Sequence, residues 1–219
     1  MADLRLYAVV DPERAGGTAL PDLARQVAEG GATLVQLRDK YGSTRRLVEE
    51  ARAIKAAIAH LGVPLLVNDR VDVALAAGAD GVHVGQDDMA AEDARALLGS
   101  RAIIGLSIKT VAHAEAAPVD LINYACIGGV FATTSKDNPD PPIGLAGLRT
   151  VLAVLRERAP RLPVGAIAGI DAGNAAQVIA AGADGIAVIS ALSAAPDPAA
   201  AAGKLRAIVD STLGMRVDP

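Results

Sequence analysis

Two acidic clusters are the first residues in this chain that could do chemistry. Asn68-Asp69 follows the apolar run 65–67, and Gln86-Asp87-Asp88 follows the apolar run 81–84, with one short helical stretch between them. Parallel neighbouring strands lie about 5 Å apart. If the two runs are such strands, their C-terminal ends offer carboxylates to a single pocket. That arrangement suits a hard divalent cation or an acid/base pair. Helix capping is the plainer role for an Asn or Asp in such a place. It explains one such residue more readily than two sets at successive strand ends.

Polar groups recur at the ends of the other apolar runs. Gln36, Arg38 and Lys40 close the run 33–37, and Ser107 with Lys109 closes 102–106. A long loop, 128–144, carries Thr133, Thr134, Ser135 and Lys136. Carboxylates that hold Mg²⁺ usually share it with substrate phosphates, and Arg and Lys complete a polyphosphate site. Further on, Gly169 precedes Asp171, and Ile189-Ser190 opens a short helical turn. Both fit a second anion site built from backbone N–H groups. The histidines read differently. His83 lies inside an apolar run and reads as a core or rim histidine rather than a base, and His60 and His113 read as surface helix residues. Cys126 reads as a small buried residue.

The elements that must position these groups follow from periodicity. Eight strand-like runs, at 6–10, 33–37, 65–67, 81–84, 102–106, 121–127, 164–167 and 185–189, alternate with helical stretches. Helices are expected at 18–29, from a Ser43 cap to Gly62, and at about 70–77, 90–98, 110–116, 145–158, 172–181 and 199–213. Most of the runs are continuously apolar, as befits parallel strands covered on both faces. Ala77-Gly78-Ala79-Asp80-Gly81-Val82 returns as Ala181-Gly182-Ala183-Asp184-Gly185-Ile186, with a fainter version from Glu29 to Leu34. Each copy is a helix end, a glycine cap and a strand start. Two close copies about half a chain apart favour a closed (β/α)8 barrel, an α/β fold, over the alternative of a doubly wound open sheet. No linker or shift of composition divides the chain, so a single domain over 1–219 is expected. In such a barrel the strand C-termini share one rim, and the residues singled out above converge there.

Composition narrows the function classes. The 219 residues are 52% hydrophobic and only 2% aromatic, with net charge −4. The core must therefore be aliphatic. Mixed charge and scarce aromatics argue against a nucleic-acid partner. The single cysteine permits no intrachain disulfide and suits a reducing compartment. No signal peptide or membrane span is legible. A cytoplasmic protein with no membrane partner is expected, and a homo-oligomer is compatible with the chain.

Taken together, the motifs resemble the thiamine phosphate synthase family over about 6–193. The pieces are Gln36-Leu37-Arg38-Asp39-Lys40, Asn68-Asp69-Arg70, Gly81-Val82-His83-Val84-Gly85-Gln86-Asp87-Asp88, Gly105-Leu106-Ser107, Val130-Phe131-Ala132-Thr133-Thr134-Ser135-Lys136 and Ile167-Ala168-Gly169-Ile170. The resemblance implies a (β/α)8 barrel that joins an aminopyrimidine methyl diphosphate to a hydroxyethyl-thiazole phosphate. Diphosphate leaves first, and the thiazole nitrogen captures the resulting pyrimidinyl methyl cation. By position, Asp69 and Asp88 would hold Mg²⁺, with Asp87 left as a cap or as a group behind the two ligands. Gln36, Arg38, Lys40, Asn68, Ser107 and Lys136 would bind the pyrimidine diphosphate. Of these, Arg38, Lys40, Ser107 and Lys136 are the catalytic candidates. Thr133, Ser135, Gly169, Ile189 and Ser190 would hold the thiazole phosphate. Some positions depart from the family pattern. Ser135 stands where threonine is usual, and Ala168 replaces the first glycine of a pair. Lys109 stands where the family often has histidine. A related thiazole phosphate tautomerase relies on a histidine at the position of Lys109, which counts against that activity. A non-catalytic barrel that binds phosphorylated ligands would be expected to lack part of the metal and diphosphate set.

Overall fold

The computed structural model describes residues 2–135 and 141–215. Its first half runs β1 (Leu6–Val10), α1 (Leu20–Glu29), β2 (Leu34–Leu37), α2 (Thr44–Ile58), β3 (Leu65–Asn68), α3 (Val71–Ala77), β4 (Gly81–Val84) and α4 (Ala91–Leu98). The second runs β5 (Ile103–Ile108), α5 (Val111–Ala116), β6 (Tyr124–Ile127), α6 (Gly144–Arg158), β7 (Val164–Ile167), α7 (Ala175–Ala180), β8 (Gly185–Val188), α8 (Ser190–Ser193) and α9 (Pro198–Gly214). Each strand pairs in parallel with the next, and β8 pairs with β1. That last pairing closes the barrel and removes the open-sheet alternative.

Local chemistry accounts for several element ends. Ser43 accepts a hydrogen bond from the Arg46 amide and starts α2. Gly78, in the left-handed region, stops α3. Two element starts differ from the periodicity by three residues. The expected helix at 172–181 begins only at Ala175, because Asp171 and Asn174 close a turn through Gly173 N–Asp171 Oδ1 (2.7 Å) and Asp171 N–Asn174 Oδ1 (3.0 Å). The expected strand at 121–127 begins only at Tyr124, because the Leu121 amide bonds Pro118 O in a turn and the Asn123 side chain accepts from Ile104 N.

The repeated Gly-Ala-Asp-Gly motif has a structural cause at the N-terminal face of the barrel. Asp80 accepts from the amide of Leu65, the first residue of β3, and Asp184 does the same for Val164, the first of β7 (both 2.8 Å). Asn123 and Thr33 play the same part for Ile104 in β5 and Leu6 in β1. Three of these four acceptors also take a cation from the helix before the strand whose amide they accept from: Lys55 of α2 on Asp80, Arg95 of α4 on Asn123 and Arg156 of α6 on Asp184. The twofold echo in the sequence is thus part of a fourfold pattern that satisfies strand-end amides. It belongs to the stabilising face of such a barrel.

The core has two parts. The larger lies between strands and helices and is aliphatic throughout. The smaller fills the barrel itself and is not purely aliphatic: Tyr7, Val9, Leu34, Leu66, Tyr124, Cys126, Ala187 and Ile189 pack there. Two of the three tyrosines in the chain are therefore interior. Gly105 makes room for one of them, since a Cβ at that position would lie 2.1 Å from the Tyr124 ring. Strand alternation carries the same inward face up to Gln36, Asn68, His83 and Ser107, where it becomes the floor of a site.

Candidate active site

The two acidic clusters do meet. β3 ends at Asn68, and Asp69 then adopts the left-handed conformation (φ 60°). Asp and Asn tolerate that region better than other non-glycine residues. The Asp69 amide donates to His83 O at 2.8 Å, which ties the turn to β4. The Asp69 carboxylate is only 17% exposed and forms an ion pair with Lys40. It also accepts from Asn68 Nδ2 at 2.7 Å. Asp88 reaches in from the turn after β4, where its Oδ2 accepts from Gly85 N at 2.7 Å. Burial pushes the Asp69 carboxyl above its ordinary value, Lys40 opposes this, and hydrogen bonding to Asp88 and its charge push further up. A carboxylate whose proton affinity is raised by burial and by a second carboxylate beside it is a natural seat for a cation. Among the described residues no three His, Cys, Asp or Glu side chains converge. The donor set therefore fits a hard ion that draws its remaining oxygens from water and substrate, as Mg²⁺ does. Asp87 is exposed.

The basic side of the site is braced from β1. Arg38 forms an ion pair with Asp11, whose side chain is 1% exposed, and its amide donates to Val10 O at 2.9 Å. Asp11, the first residue beyond β1, anchors Arg38. Its signal was available, because it is the first polar residue at the end of a barrel strand. Gln36, Arg38, Asn68 and Ser107 line one narrow cavity at the top of the barrel, with His83, Tyr7 and Cys126. Ser107, expected just beyond a strand, lies inside β5, and its Oγ is 2.9 Å from His83 Nε2. His83 is a rim histidine, as its apolar setting suggested, with Nδ1 2.8 Å from Tyr124 Oη.

A wider cleft of about 580 Å³ opens beside this cavity, and both share Ile167 and Ile189 as walls. Its size is that of an ordinary small-molecule site. Thr133, Ser135, Gly169, Ile189 and Ser190, five residues expected on the thiazole side, all line it. Ser135 Oγ lies 3.0 Å from Ser190 Oγ, which joins the loop after β6 to the start of α8. Arg14, in the loop after β1, donates to Thr134 O (2.7 Å) and Ser135 O (3.2 Å) and so clamps the same loop. Nothing in the sequence pairs Arg14 with residues about 120 positions away. Gly169 (φ 62°) has no room for a side chain, since a Cβ would lie 2.4 Å from Ala132 O. Ala168 is held at φ 95°, a strained value for alanine, while its carbonyl accepts from the Phe131 amide. Lys136 lies outside the described residues. Among the described residues no helix is long and apolar enough to cross a membrane.

Comparison with known proteins agrees with this fold. The family described as "Thiamine monophosphate synthase" matches residues 6–192. A thiamine-phosphate synthase of Agrobacterium fabrum is 56% identical over 214 residues, covering 98% of this chain and 97% of the relative. One from Albidiferax ferrireducens is 48% identical over 211 residues, covering 95% and 93%. Among solved structures, a thiamine phosphate pyrophosphorylase from Pyrococcus furiosus superposes with a TM-score of 0.83 at 37% identity, covering 97% of this chain and 98% of that one. A shared barrel, a family match over residues 6–192 and 56% identity across nearly the whole length leave one conclusion: this chain belongs to the thiamine monophosphate synthase family.

Proposed function

We propose that this enzyme joins hydroxymethylpyrimidine diphosphate to hydroxyethyl-thiazole phosphate, releasing diphosphate and forming thiamine phosphate by a dissociative displacement that depends on Mg²⁺. The observation that carries the reading is the adjacency of two unlike anion sites. The Asp69–Asp88 pair with Lys40 and Arg38 lies on one side, and the cleft of Ser135, Gly169 and Ser190 on the other. The cavity floored by Gln36, Asn68 and Ser107 adjoins that cleft across Ile167 and Ile189. An electrophilic carbon in one and a ring nitrogen in the other would face each other across a short apolar wall.

Each group has a task in that chemistry. Asp69 and Asp88 would hold Mg²⁺, which when bound neutralises charge on the departing diphosphate. Arg38 and Lys40 add fixed positive charge where negative charge grows, and the family resemblance assigns Lys136 to the same role. Arg38 is already braced by Asp11, so it requires little reorganisation. Gln36, Asn68 and Ser107 orient the pyrimidine. Ser135, Ser190 and the Gly169 backbone hold the thiazole phosphate, so the nucleophile is in place when the cation forms. Apolar Ile167 and Ile189 keep water from it. No side-chain nucleophile or strong base is needed, in keeping with a His83 ring engaged by Tyr124 and Ser107.

The test is direct. Purified protein is mixed with both substrates and Mg²⁺, and diphosphate and thiamine phosphate are measured together. Equal release of the two is expected. A folded sample that makes neither refutes the reading.

A further inference from the structure

The loop after β1 reaches both halves of the site. It opens with Asp11-Pro12, residues favoured at the first two places of a β-turn. That turn forms. The Arg14 amide donates to Asp11 O at 3.0 Å, and the Glu13 amide donates to Asp11 Oδ1 at 2.9 Å. One carboxylate oxygen of Asp11 thus sets the turn, which leaves Oδ2 for Arg38. Asp11 and Ala15, on either side of the turn, are both buried, so the segment is pinned at each end. Pro12 removes one backbone rotation between them. Arg14 leaves this turn toward the loop after β6. Its Nη2 donates to Thr134 O at 2.7 Å and its Nε to Ser135 O at 3.2 Å. Ser135 Oγ in turn lies 3.0 Å from Ser190 Oγ.

A single bracket therefore runs from Arg38, on the diphosphate side, to Ser135 and Ser190, on the thiazole phosphate side. The two cavities themselves share Ile167 and Ile189 as walls. Those side chains shape the gap between the substrates but have no polar atom with which to hold an anion. The bracket ties one anion grip to the other through side chains and a tight turn, and both of its working residues lie within four positions of sequence.

We propose that Asp11 and Arg14 are positioning residues that hold the two anion grips at one spacing, so that the pyrimidinyl methyl cation meets the thiazole nitrogen before it meets water. This rests on the dissociative reading above. There the carbon–oxygen bond to diphosphate breaks, and its electron pair leaves with the diphosphate. The cation then has two fates. The thiazole nitrogen supplies its lone pair and forms the carbon–nitrogen bond of thiamine phosphate. Water instead forms a carbon–oxygen bond, loses a proton, and leaves the hydroxymethylpyrimidine alcohol. Neither Asp11 nor Arg14 needs to touch a substrate. Their effect is on which fate wins.

The test uses Arg14→Ala and Asp11→Asn. Arg14 is exposed, so its truncation leaves the core intact. Asparagine at 11 keeps an acceptor for the Glu13 amide and loses the charge that holds Arg38. Each protein receives Mg²⁺, the pyrimidine diphosphate and saturating thiazole phosphate, and diphosphate, thiamine phosphate and the alcohol are measured together. Misplacing a reactant by about 1 Å costs about a hundredfold in rate. A capture step ahead of water by about that margin then becomes level with it. Diphosphate released per thiamine phosphate formed is expected to rise from about 1 in wild type to about 2 in either variant, with the alcohol making up the difference. General loss of structure lowers both products alike and leaves their ratio where it was. Weaker thiazole affinity alone is overcome at saturation and also leaves the ratio where it was. A wild-type ratio in either folded variant therefore overturns the proposal, and if Asp11→Asn does not fold, Arg14→Ala decides alone. Wild-type protein that releases neither diphosphate nor thiamine phosphate refutes the reading of the reaction itself, a result distinct from failure of the bracket.

Discussion

Asp69→Asn tests whether the carboxylate pair is a cation seat or a structural turn. Asparagine is the right replacement because Asp69 sits at φ 60°, where Asn is tolerated and Ala adds strain of about 1 kcal/mol or more. Without metal, the native pair sets two carboxylates against each other, one of them 17% exposed, with Lys40 as partial relief. Removing one charge is expected to leave stability unchanged or raise it by about 1 kcal/mol, a shift of roughly 2–4 °C for a chain of this size. With Mg²⁺ and inorganic diphosphate the order reverses. A ligand mixture at about 100 times its dissociation constant stabilises wild type by about 2.7 kcal/mol, or roughly 5–10 °C. Losing one buried ligand oxygen charge is expected to weaken binding about a hundredfold, which cuts the gain to about 0.4 kcal/mol, near 1 °C. Thermal melts of both proteins, with and without Mg²⁺ and diphosphate, read all four states. If Asp69→Asn is the less stable protein without metal and keeps the full metal-dependent shift, Asp69 is structural and the cation seat is wrong.

Four further outcomes follow from the same structure. Gly105→Ala puts a methyl 2.1 Å from the Tyr124 ring and is expected to cost about 3–5 kcal/mol by overpacking and broken buried bonds, read by chemical denaturation. Combining it with Tyr124→Leu should recover part of that loss. Arg14→Ala releases the clamp on Thr134 and Ser135, so the apparent affinity for thiazole phosphate should fall about tenfold while the melting temperature moves little. Ala168→Gly relieves an alanine held at φ 95° and is expected to leave stability equal or up to about 1 kcal/mol higher; a clear loss in a denaturation midpoint would contradict strain there. Glu50 has a carboxyl raised above 4.5 by burial, opposed by Arg46 and pushed further by Asp39. A raised carboxyl weakens the fold above its folded pKa and carries no penalty below its unfolded one. Glu50→Gln should therefore melt higher than wild type at pH 7, with the gap closing as the pH falls through the raised value toward 4.5.

Much of this was written locally. Alternation of apolar runs with helical stretches marks eight strands, because every strand of a covered parallel barrel is apolar on both faces. Polar residues just beyond those runs then mark the rim, since that is where a barrel strand leaves its core. Gln36, Arg38, Asn68, Asp69 and Asp88 are legible for that reason, and the resemblance of their motifs supplied the roles that residue type alone left open. What remained hidden depends on partners far apart in the chain. Lys40 and Asp69 are 29 residues apart, Tyr7 and Tyr124 are 117, and Arg14 and Thr134 are 120. No helical or strand period reaches across such distances. Only closure of β8 onto β1 turns Tyr7 toward Tyr124, brings Arg14 over the loop after β6, and shows that Thr33, Asp80, Asn123 and Asp184 do one job four times. The sequence determined which groups stand at the rim. The barrel decided which of them touch, because the curvature of a closed sheet, not the spacing of residues along it, sets distances across its interior.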